Sequence, residues 1–311
     1  MLVRDPDTQL VKSKSEMLVL ESCCSGKIID KLLVQQGKLQ QDLELLAGRS
    51  ARDQRCLVKL WLDHLSCKHV HGHNEKEETP LFLAAWRGDL SLVQALVESG
   101  AIVNQRTKDL PNTEEIREKY ITWNCTPLWV ACEYAHLEVV EYLIDRGADV
   151  DAVEGKYDRT ALFSAIWWGH LKVIMCLIEK GRASWTRTPT KFLFVAIYGK
   201  GNMEVIQYLV KHGADLNGTD SDDGGTPIHR AAWEGNVEAV KYFIHCGCPI
   251  NGTNSRKETP LNLAACNGKL PVVVYLVEQG ADLHVIDAHN RTPCDRARES
   301  GHDQVVEYLA G

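Results

Sequence analysis

The fold is decided by residues 126–151, which read TPLWVACEYAHLEVVEYLIDRGADVD. The opening Thr-Pro pair favours a helix start, because a hydroxyl caps free amides and proline suits the first helical position. Leu137, Val140 and Leu143 then recur three residues apart, which predicts a second helix with one apolar face. Gly147 follows where a helix end favours left-handed backbone. The stretch therefore predicts two short helices that end in an extended turn.

The same pattern recurs along the chain. Thr-Pro pairs begin at positions 79, 126, 226, 259 and 292, and a weaker copy begins at Thr160. The step is 33 residues from 226 to 259 and again from 259 to 292, and it is 34 from 126 to 160. A fixed period of this length indicates stacked repeats, because no single unit can bury its apolar stripe alone.

These residues resemble the ankyrin-repeat family, whose pattern Thr-Pro-Leu-x-x-Ala-Ala through Gly-Ala-Asp-Val-Asn is nearly spelled out by residues 126–151. The resemblance covers roughly residues 77–311. It implies an all-α ankyrin-repeat solenoid of stacked helix-turn-helix units, with hairpin loops along one edge. We therefore predict an ankyrin-repeat domain of about seven repeats over residues 76–311. We read residues 1–75 as a helical N-terminal region, either divergent repeats or a terminal cap.

Two regions depart from the regular spacing. The step from Thr79 to Thr126 is 47 residues, which predicts an insertion near residues 105–124 that loops out on one face. Repeat four reads Thr190-Lys191-Phe192, without a proline at these positions, and Gly199 through Gly201 indicates two extra residues between its helices. We expect the stacking of repeat four to be distorted.

Composition excludes several classes of function. The chain has 35 Lys and Arg against 42 Asp and Glu, a net charge of −7, which does not favour nucleic acid or an anionic membrane as a partner. The N-terminal residues lack the apolar core of a signal peptide, and no run approaches the ~20 apolar residues of a membrane span. Eleven cysteines, an odd number, form no disulfide framework. We expect reduced thiols and a cytoplasmic or nuclear location.

Two clusters have some character of a metal site. Cys67, His69, His71 and His73 alternate along one segment, and zinc accepts both ligand types, but the usual zinc spacing is missing. The acidic stretch 215–223 lacks the glutamate at the twelfth position of a helix-loop-helix calcium site. A polar loop and a solvated hairpin tip explain the two clusters better, so we expect no metal and no cofactor.

The sequence also lacks signs of catalysis. The common nucleophile, phosphate-loop, dinucleotide and zinc-protease motifs do not occur. The family places structural histidines at or near repeat positions, and we interpret His136, His170, His229 and His302 in that way. We therefore predict that the chain is not an enzyme.

One set of residues is richer in aromatic side chains than a surface that only faces water requires. In ankyrin repeats, the two residues before the glycine that ends the first helix face the concave groove. Here that position is unusually rich in aromatic side chains, and Trp and Tyr are frequent binding hot spots. The alternative is that some rings pack against the next hairpin. The candidate partner-binding residues are Trp86, Arg87, Glu133, Tyr134, Trp167, Trp168, Tyr198, Trp233 and Glu234.

Two functions follow from this surface. The first is a non-enzymatic interaction module or scaffold that binds a peptide or protein along an aromatic concave groove. The second is the substrate receptor of a cullin-type ubiquitin ligase, because repeat two and the insertion before it are similar to the Fem family of such receptors. In that case ubiquitin-ligase subunits would be additional partners, although no helical cullin-adaptor box is recognisable after the repeats.

Overall fold

The computed structural model describes residues 70–74, 78–107, 124–154, 159–185, 189–199, 203–220 and 223–311. Within these residues the chain forms fourteen helices in seven consecutive pairs, and one isolated β-bridge joins Glu154 and Arg159. The predicted all-α repeat fold is thus confirmed. None of the helices in the described ranges combines the length and the apolar character that crossing a membrane requires.

Each pair consists of a first and a second helix of about the same length. The first helices are α1 (Pro80–Arg87), α3 (Pro127–Glu133), α5 (Ala161–Trp168), α7 (Pro189–Tyr198), α9 (Pro227–Glu234), α11 (Pro260–Cys266) and α13 (Pro293–Glu299). The second helices are α2 (Leu90–Glu98), α4 (Leu137–Asp145), α6 (Leu171–Glu179), α8 (Met203–Lys211), α10 (Val237–His245), α12 (Leu270–Glu278) and α14 (Asp303–Ala310).

Threonine side chains start most of the first helices, as the sequence predicts. The Thr79 hydroxyl accepts the backbone N–H of Phe82 at 3.1 Å, and Thr160 accepts that of Phe163 at 3.2 Å. Each bond satisfies one amide that the first turn of a helix leaves without an intrahelical partner. The threonine therefore caps the first helix with or without a following proline.

The core lies between the two helices of each pair. In α2 the apolar stripe of Leu92, Val93 and Leu96 is almost completely buried. The first helices contribute small residues to the same core, such as Ala84 and Ala85, which have no exposed surface. Small side chains let neighbouring helices approach closely, so the apolar stripes are sealed even though each helix is only two turns long.

The described residues divide into two compact units. Unit 1 contains those up to Ser164 together with Met175–Ala183, and unit 2 contains Ala165–Ile174 together with Ser184–Gly311. In unit 1, α1 packs on α3 and α2 packs on α4. In unit 2, α7, α9, α11 and α13 pack in that order, and so do α8, α10, α12 and α14. Successive first helices therefore lie side by side within each unit.

Repeat four differs from the sequence prediction in one respect. Helix α7 begins at Pro189, so this repeat keeps a proline at its helix start, and the prediction that it lacks one is wrong. The prediction missed this because it placed the helix start at Thr190-Lys191, two residues after the Thr188-Pro189 pair. Four residues separate α7 from α8, whereas two separate α9 from α10, and the two predicted extra residues are thus confirmed.

Two predicted regions lie outside the described residues. They are the N-terminal region, apart from a few residues before α1, and the central part of the insertion, residues 108–123. The division into a region over 1–75 and a domain over 76–311 stays a prediction.

Candidate functional site

All nine candidate binding residues lie at the C-terminal ends of first helices. Trp86 and Arg87 end α1, Glu133 ends α3 with Tyr134 as its C-cap, Trp167 and Trp168 end α5, Tyr198 ends α7, and Trp233 and Glu234 end α9. Because successive first helices pack side by side within a unit, their ends form a row there. The repeat register predicted by the sequence places these residues correctly.

In unit 1, two aromatic side chains from neighbouring repeats meet at these helix ends. The ring centroids of Trp86 and Tyr134 lie 6.3 Å apart, and their planes are inclined by 81°. Tyr134 is 41% exposed and Trp86 is half-buried. The two rings form an edge-to-face pair that is partly exposed to solvent, which we call the aromatic corner.

His136 holds the aromatic corner in place. Its Nε2–H donates to the backbone carbonyl of Trp86 at 3.0 Å, and its ring stacks on Tyr134 with an interplanar angle of 14°. The ring occupies space that Gly88 leaves open, since a Cβ at Gly88 would lie 2.3 Å from His136 Nδ1. This hydrogen bond supports the structural role that the sequence predicts for His136.

Charged groups surround Arg87 beside the aromatic corner. Burial lowers the pKa of the half-buried Arg87 guanidinium, while the nearby carboxylates of Asp89 and Glu78 act in the opposite direction. Asp89 caps α2 by accepting the Leu92 N–H at 2.9 Å, and burial raises its pKa. The sequence analysis did not include Asp89 and Glu78 in the site. The polar residue before Leu90, in the N-cap position, is the signal that could have indicated Asp89.

In unit 2, the helix ends present a second set of aromatic residues. Trp233 is 37% exposed, whereas Trp167, Trp168 and Tyr198 are half-buried. Repeats three and four approach closely here, because a Cβ at Gly199 would lie 2.5 Å from the Trp167 carbonyl oxygen. Only glycine allows this contact between backbones. The exposure of these rings is intermediate between that of a core and that of a solvated surface.

An ion-pair cluster in unit 2 is centred on Arg230 of α9. Arg230 is bound by the carboxylates of Asp220 and Asp223, the latter at 2.7 Å. Burial alone would lower the pKa of Arg230, but Tyr198, Asp220 and Asp223 outweigh it and raise that pKa. A guanidinium thus pairs with two carboxylates of the acidic stretch that had some character of a calcium site.

The described residues contain no group of three or more His, Cys, Asp and Glu that could hold a metal ion. Of the zinc-like cluster, Cys67 and His69 lie outside the described residues. The His71 carbonyl accepts from the Gln105 amide at 2.9 Å, so this segment contacts the loop that follows α2.

Comparison with protein families identifies the class. Models of ankyrin repeats in three copies match residues 22–150, 108–189 and 234–311, and a model of ankyrin repeats in many copies matches residues 193–244. These matches cover most of the chain, so the chain belongs to the ankyrin-repeat family.

Individual proteins support this assignment. The chain is 26% identical over 237 residues to the ankyrin repeat and KH domain-containing protein mask-1 of Caenorhabditis elegans, covering 67% of this chain and 9% of that protein. It is similar to the crystal structure of the human ASB11 ankyrin repeat domain, with a TM-score of 0.61 and 24% identity over 75% of this chain and 99% of that one. For the Bcl-3 ankyrin repeat domain, a member of the IkappaB family, the TM-score is 0.56, with 25% identity over 76% of this chain and 100% of that one.

Ankyrin repeats are protein–protein interaction modules of a generally non-enzymatic fold, and that is the class of this chain. The chain spans less than a tenth of the length of mask-1.

Proposed function

We propose that this protein is a non-enzymatic scaffold that binds a segment of a partner protein along the ends of its first helices. The observation that carries the proposal is the exposure of large aromatic side chains there, at 41% for Tyr134 and 37% for Trp233, while the aliphatic core is sealed. Exposed rings on a rigid frame supply contact area at a low cost in conformational entropy, and Trp and Tyr dominate binding hot spots.

The charges at these helix ends suit a partner of mixed character. Arg87 in unit 1 is cationic, whereas Glu133 in unit 1 and Glu234 in unit 2 are anionic, and all three are half-buried. Half-buried charges at the edge of an interface give orientation and specificity more than affinity. A partner segment with apolar anchors and charges of both signs fits the helix ends of unit 1, and one with apolar anchors and a positive charge fits those of unit 2.

Substitutions on matched surfaces test the proposal. We would use the full-length chain and its Tyr134→Ala, Trp167→Ala and Trp233→Ala variants as bait, and quantify the bound proteins by mass spectrometry. Tyr308→Ala and Met175→Ala are controls, because Tyr308 and Met175 are 39% and 36% exposed but lie on second helices. A hot-spot truncation costs ~2 kcal/mol or more, which is about a thirtyfold loss of affinity.

The same variants distinguish binding from packing. We expect the groove variants to keep their melting temperature within a few degrees and to lose the partners that both controls retain. If the rings were core residues, their truncation would lower stability by ~3–5 kcal/mol. Such a loss, or unchanged partner recovery, would contradict the proposal.

The second predicted function, a ubiquitin-ligase substrate receptor, is tested by different copurifying proteins. It requires elongin or cullin subunits among the proteins that copurify with the full-length chain. These subunits would contact the chain away from the aromatic helix ends, so the groove variants should retain them while losing the substrate. Their absence from the wild-type sample would leave only the scaffold function.

A further inference from the structure

Asparagine precedes glycine at three places in the chain, and the structure describes all three. These Asn-Gly pairs are Asn217-Gly218, Asn251-Gly252 and Asn267-Gly268. An asparagine before glycine is chemically labile, because no side chain hinders attack of the glycine nitrogen on the asparagine carboxamide. In a folded chain, hydrogen bonds to the carboxamide and to the glycine N–H oppose this attack. The three pairs can therefore be compared by the bonds that hold them.

The pair at Asn251 is held at both reacting groups. The Asn251 Oδ1 accepts the backbone N–H of Asp282, in the next hairpin, at 2.9 Å. The Gly252 N–H donates to the Pro249 carbonyl at 3.2 Å. Both bonds must break before the nitrogen can reach the carboxamide, so the fold protects this pair.

The pair at Asn267 is also held at both groups, by bonds to the end of α11. The Asn267 Nδ2–H donates to the Leu263 carbonyl at 2.9 Å, and the Gly268 N–H donates to the Ala265 carbonyl at 3.2 Å. Because all of these groups lie within six residues of one another, this protection does not depend on a neighbouring repeat.

The pair at Asn217 lacks both restraints. Asn217 is exposed, and neither its carboxamide nor the Gly218 N–H forms a hydrogen bond to the part of the chain that the structure describes. The Asn217 backbone N–H does donate, to the Asp215 Oδ1 at 2.8 Å, but this bond involves neither reacting group. The nitrogen and the carboxamide are therefore both available for reaction.

The missing restraint at Asn217 has a cause in the next hairpin. The bond that Asp282 makes recurs in unit 1, where the Asn104 Oδ1 accepts the Asp149 N–H at 2.8 Å. Both aspartates stand two residues after the glycine that follows a second helix, and Pro249 occupies that position in the hairpin after Asn217. Proline has no backbone N–H, so the equivalent bond to Asn217 cannot form.

We propose that Asn217 is a site of spontaneous deamidation in the folded protein, and that Pro249 leaves it open to this reaction. The Gly218 nitrogen forms a bond to the Asn217 Cγ, the Cγ–N bond of the carboxamide breaks, and ammonia leaves with the proton from the Gly218 nitrogen. The product is a cyclic succinimide. Water then adds to one of its two carbonyl groups and opens the ring, which gives aspartate or isoaspartate.

Deamidation at this position changes a tightly packed hairpin. Gly218 approaches the first helix of repeat four, since a Cβ at Gly218 would lie 2.6 Å from the Thr190 Cγ2. Isoaspartate adds one carbon to the backbone directly before Gly218. Both products also add a negative charge to a turn that already contains Asp215. We therefore expect the reaction to weaken the packing of this hairpin on repeat four.

Incubation of the full-length chain at pH 8, followed by trypsin digestion and mass spectrometry, tests the proposal. Each pair lies in a separate tryptic peptide, because Lys or Arg stands at positions 211, 230, 241, 256, 257 and 269. We expect Asn217 to deamidate about tenfold faster or more than Asn251 and Asn267, which must each lose two hydrogen bonds. In the chain unfolded in urea, the three rates should converge, because the fold no longer distinguishes the pairs.

Two variants move the restraint from one hairpin to another. Pro249→Ala supplies the missing N–H and should slow deamidation at Asn217 about two- to tenfold, the effect of one hydrogen bond. Asp282→Pro removes the N–H that holds Asn251 and should accelerate deamidation there by a similar factor. Asn267 is the internal control and should keep its rate in both variants. Unfolding would accelerate all three pairs, so a slower reaction in Pro249→Ala cannot result from misfolding.

Two results would overturn the inference. The first is a rate at Asn217 in the folded wild type that does not exceed those at Asn251 and Asn267, a comparison that needs no variant. The second is an unchanged rate at Asn217 in Pro249→Ala together with an unchanged rate at Asn251 in Asp282→Pro, which would show that the bond between hairpins does not protect the asparagine.

Discussion

The same Thr-Pro helix start is completed in different ways in the two units. In unit 2 the N-cap threonines are Thr226, Thr259 and Thr292. The backbone N–H of each one donates to the side chain three positions later, which is His229, Asn262 or Asp295 respectively. In unit 1, that position after Thr126 is Trp129, which offers no acceptor. Glu154 from the following hairpin accepts the Thr126 N–H at 3.0 Å and its hydroxyl at 2.9 Å instead.

The difference teaches that one local motif can depend on either local or distant residues. Glu154 is 2% exposed and lies 28 positions after Thr126. It also pairs with Arg106, whose guanidinium donates to the carbonyls of Asn124 and Val153 at 2.9 and 2.8 Å. Repeat two, its neighbouring hairpin and both ends of the insertion are thus joined by one buried carboxylate. In unit 2 each cap is closed from within its own first turn, and His229 in addition donates from Nε2 to the Gly252 carbonyl of the next hairpin at 3.0 Å.

The largest expected effect follows from removing that carboxylate. Glu154→Ala leaves the Thr126 N–H and hydroxyl buried without their acceptor, and deprives Arg106 of its ion pair. Since buried unsatisfied donors are costly, we expect a loss of about 2–3 kcal/mol at pH 5 in urea denaturation. The control Asp295→Ala removes a local cap whose carboxylate is 43% exposed, and should cost about 1 kcal/mol. Equal losses of stability in the two variants would show that the distant cap and the local cap contribute alike.

A smaller effect concerns pH, which should act on the two caps in opposite directions. Burial raises the pKa of Glu154 to about 7, against hydrogen bonds from Thr126 and the charge of Arg106. Its contribution to stability is therefore complete below pH 4.5 and is lost as pH rises through 7. Burial lowers the pKa of His229, so its contribution is present above pH 6.5 and is lost as pH falls.

Urea denaturation of single variants at pH 5 and pH 8 separates these contributions from other titrating groups. Relative to Glu154→Gln, the wild type should become less stable by about 2 kcal/mol between pH 5 and pH 8. Relative to His229→Gln, the wild type should gain stability over the same interval. Slopes of the same sign for both pairs would show that the local and the distant cap respond to pH alike.

The smallest effect compares one turn in the two units. Ala135 and Gly235 occupy equivalent positions after the first helix, with φ of 61° and 84°. This left-handed region disfavours a Cβ, so Ala135→Gly should stabilise the protein by about 0.5–1 kcal/mol. Gly235→Ala should destabilise it by about 1–2 kcal/mol, because its Cβ would also meet the Lys269 side chain at 2.7 Å. Thermal denaturation measures both changes, and an unstable Ala135→Gly variant would mean that Ala135 contributes contacts of its own.

Much of the repeat structure could be predicted because its signals are local. The Thr-Pro pairs, the apolar spacing of residues such as Leu92 and Leu96, and the turn glycines each act within one helix or turn. The weak copy at Thr160 was correctly read as a helix start, since its hydroxyl caps the next turn. Repeat four was misread at Pro189 because its first helix is ten residues long, which shifts the usual register.

The candidate surface was predicted only in part, for a related reason. The repeat register places Trp86 and Tyr134 at successive helix ends, but it contains no information about the angle between their rings. That angle depends on His136 and on the space left by Gly88, which are contacts between repeats. Glu78 and Asp89 were missed because their importance lies in their distance from Arg87 and not in any motif.

The sequence by itself determined the repeat, the start and end of most helices, the buried stripes and the positions that bear the aromatic residues. These follow from helix capping, periodicity and backbone preference, which operate over a few neighbouring residues. Only the tertiary structure decided that Glu154 completes the cap of Thr126, that Arg230 pairs with both Asp220 and Asp223, and that two rings meet at an angle of 81°. Such pairings depend on distances in space that no motif of neighbouring residues specifies, and folding brings the partners together.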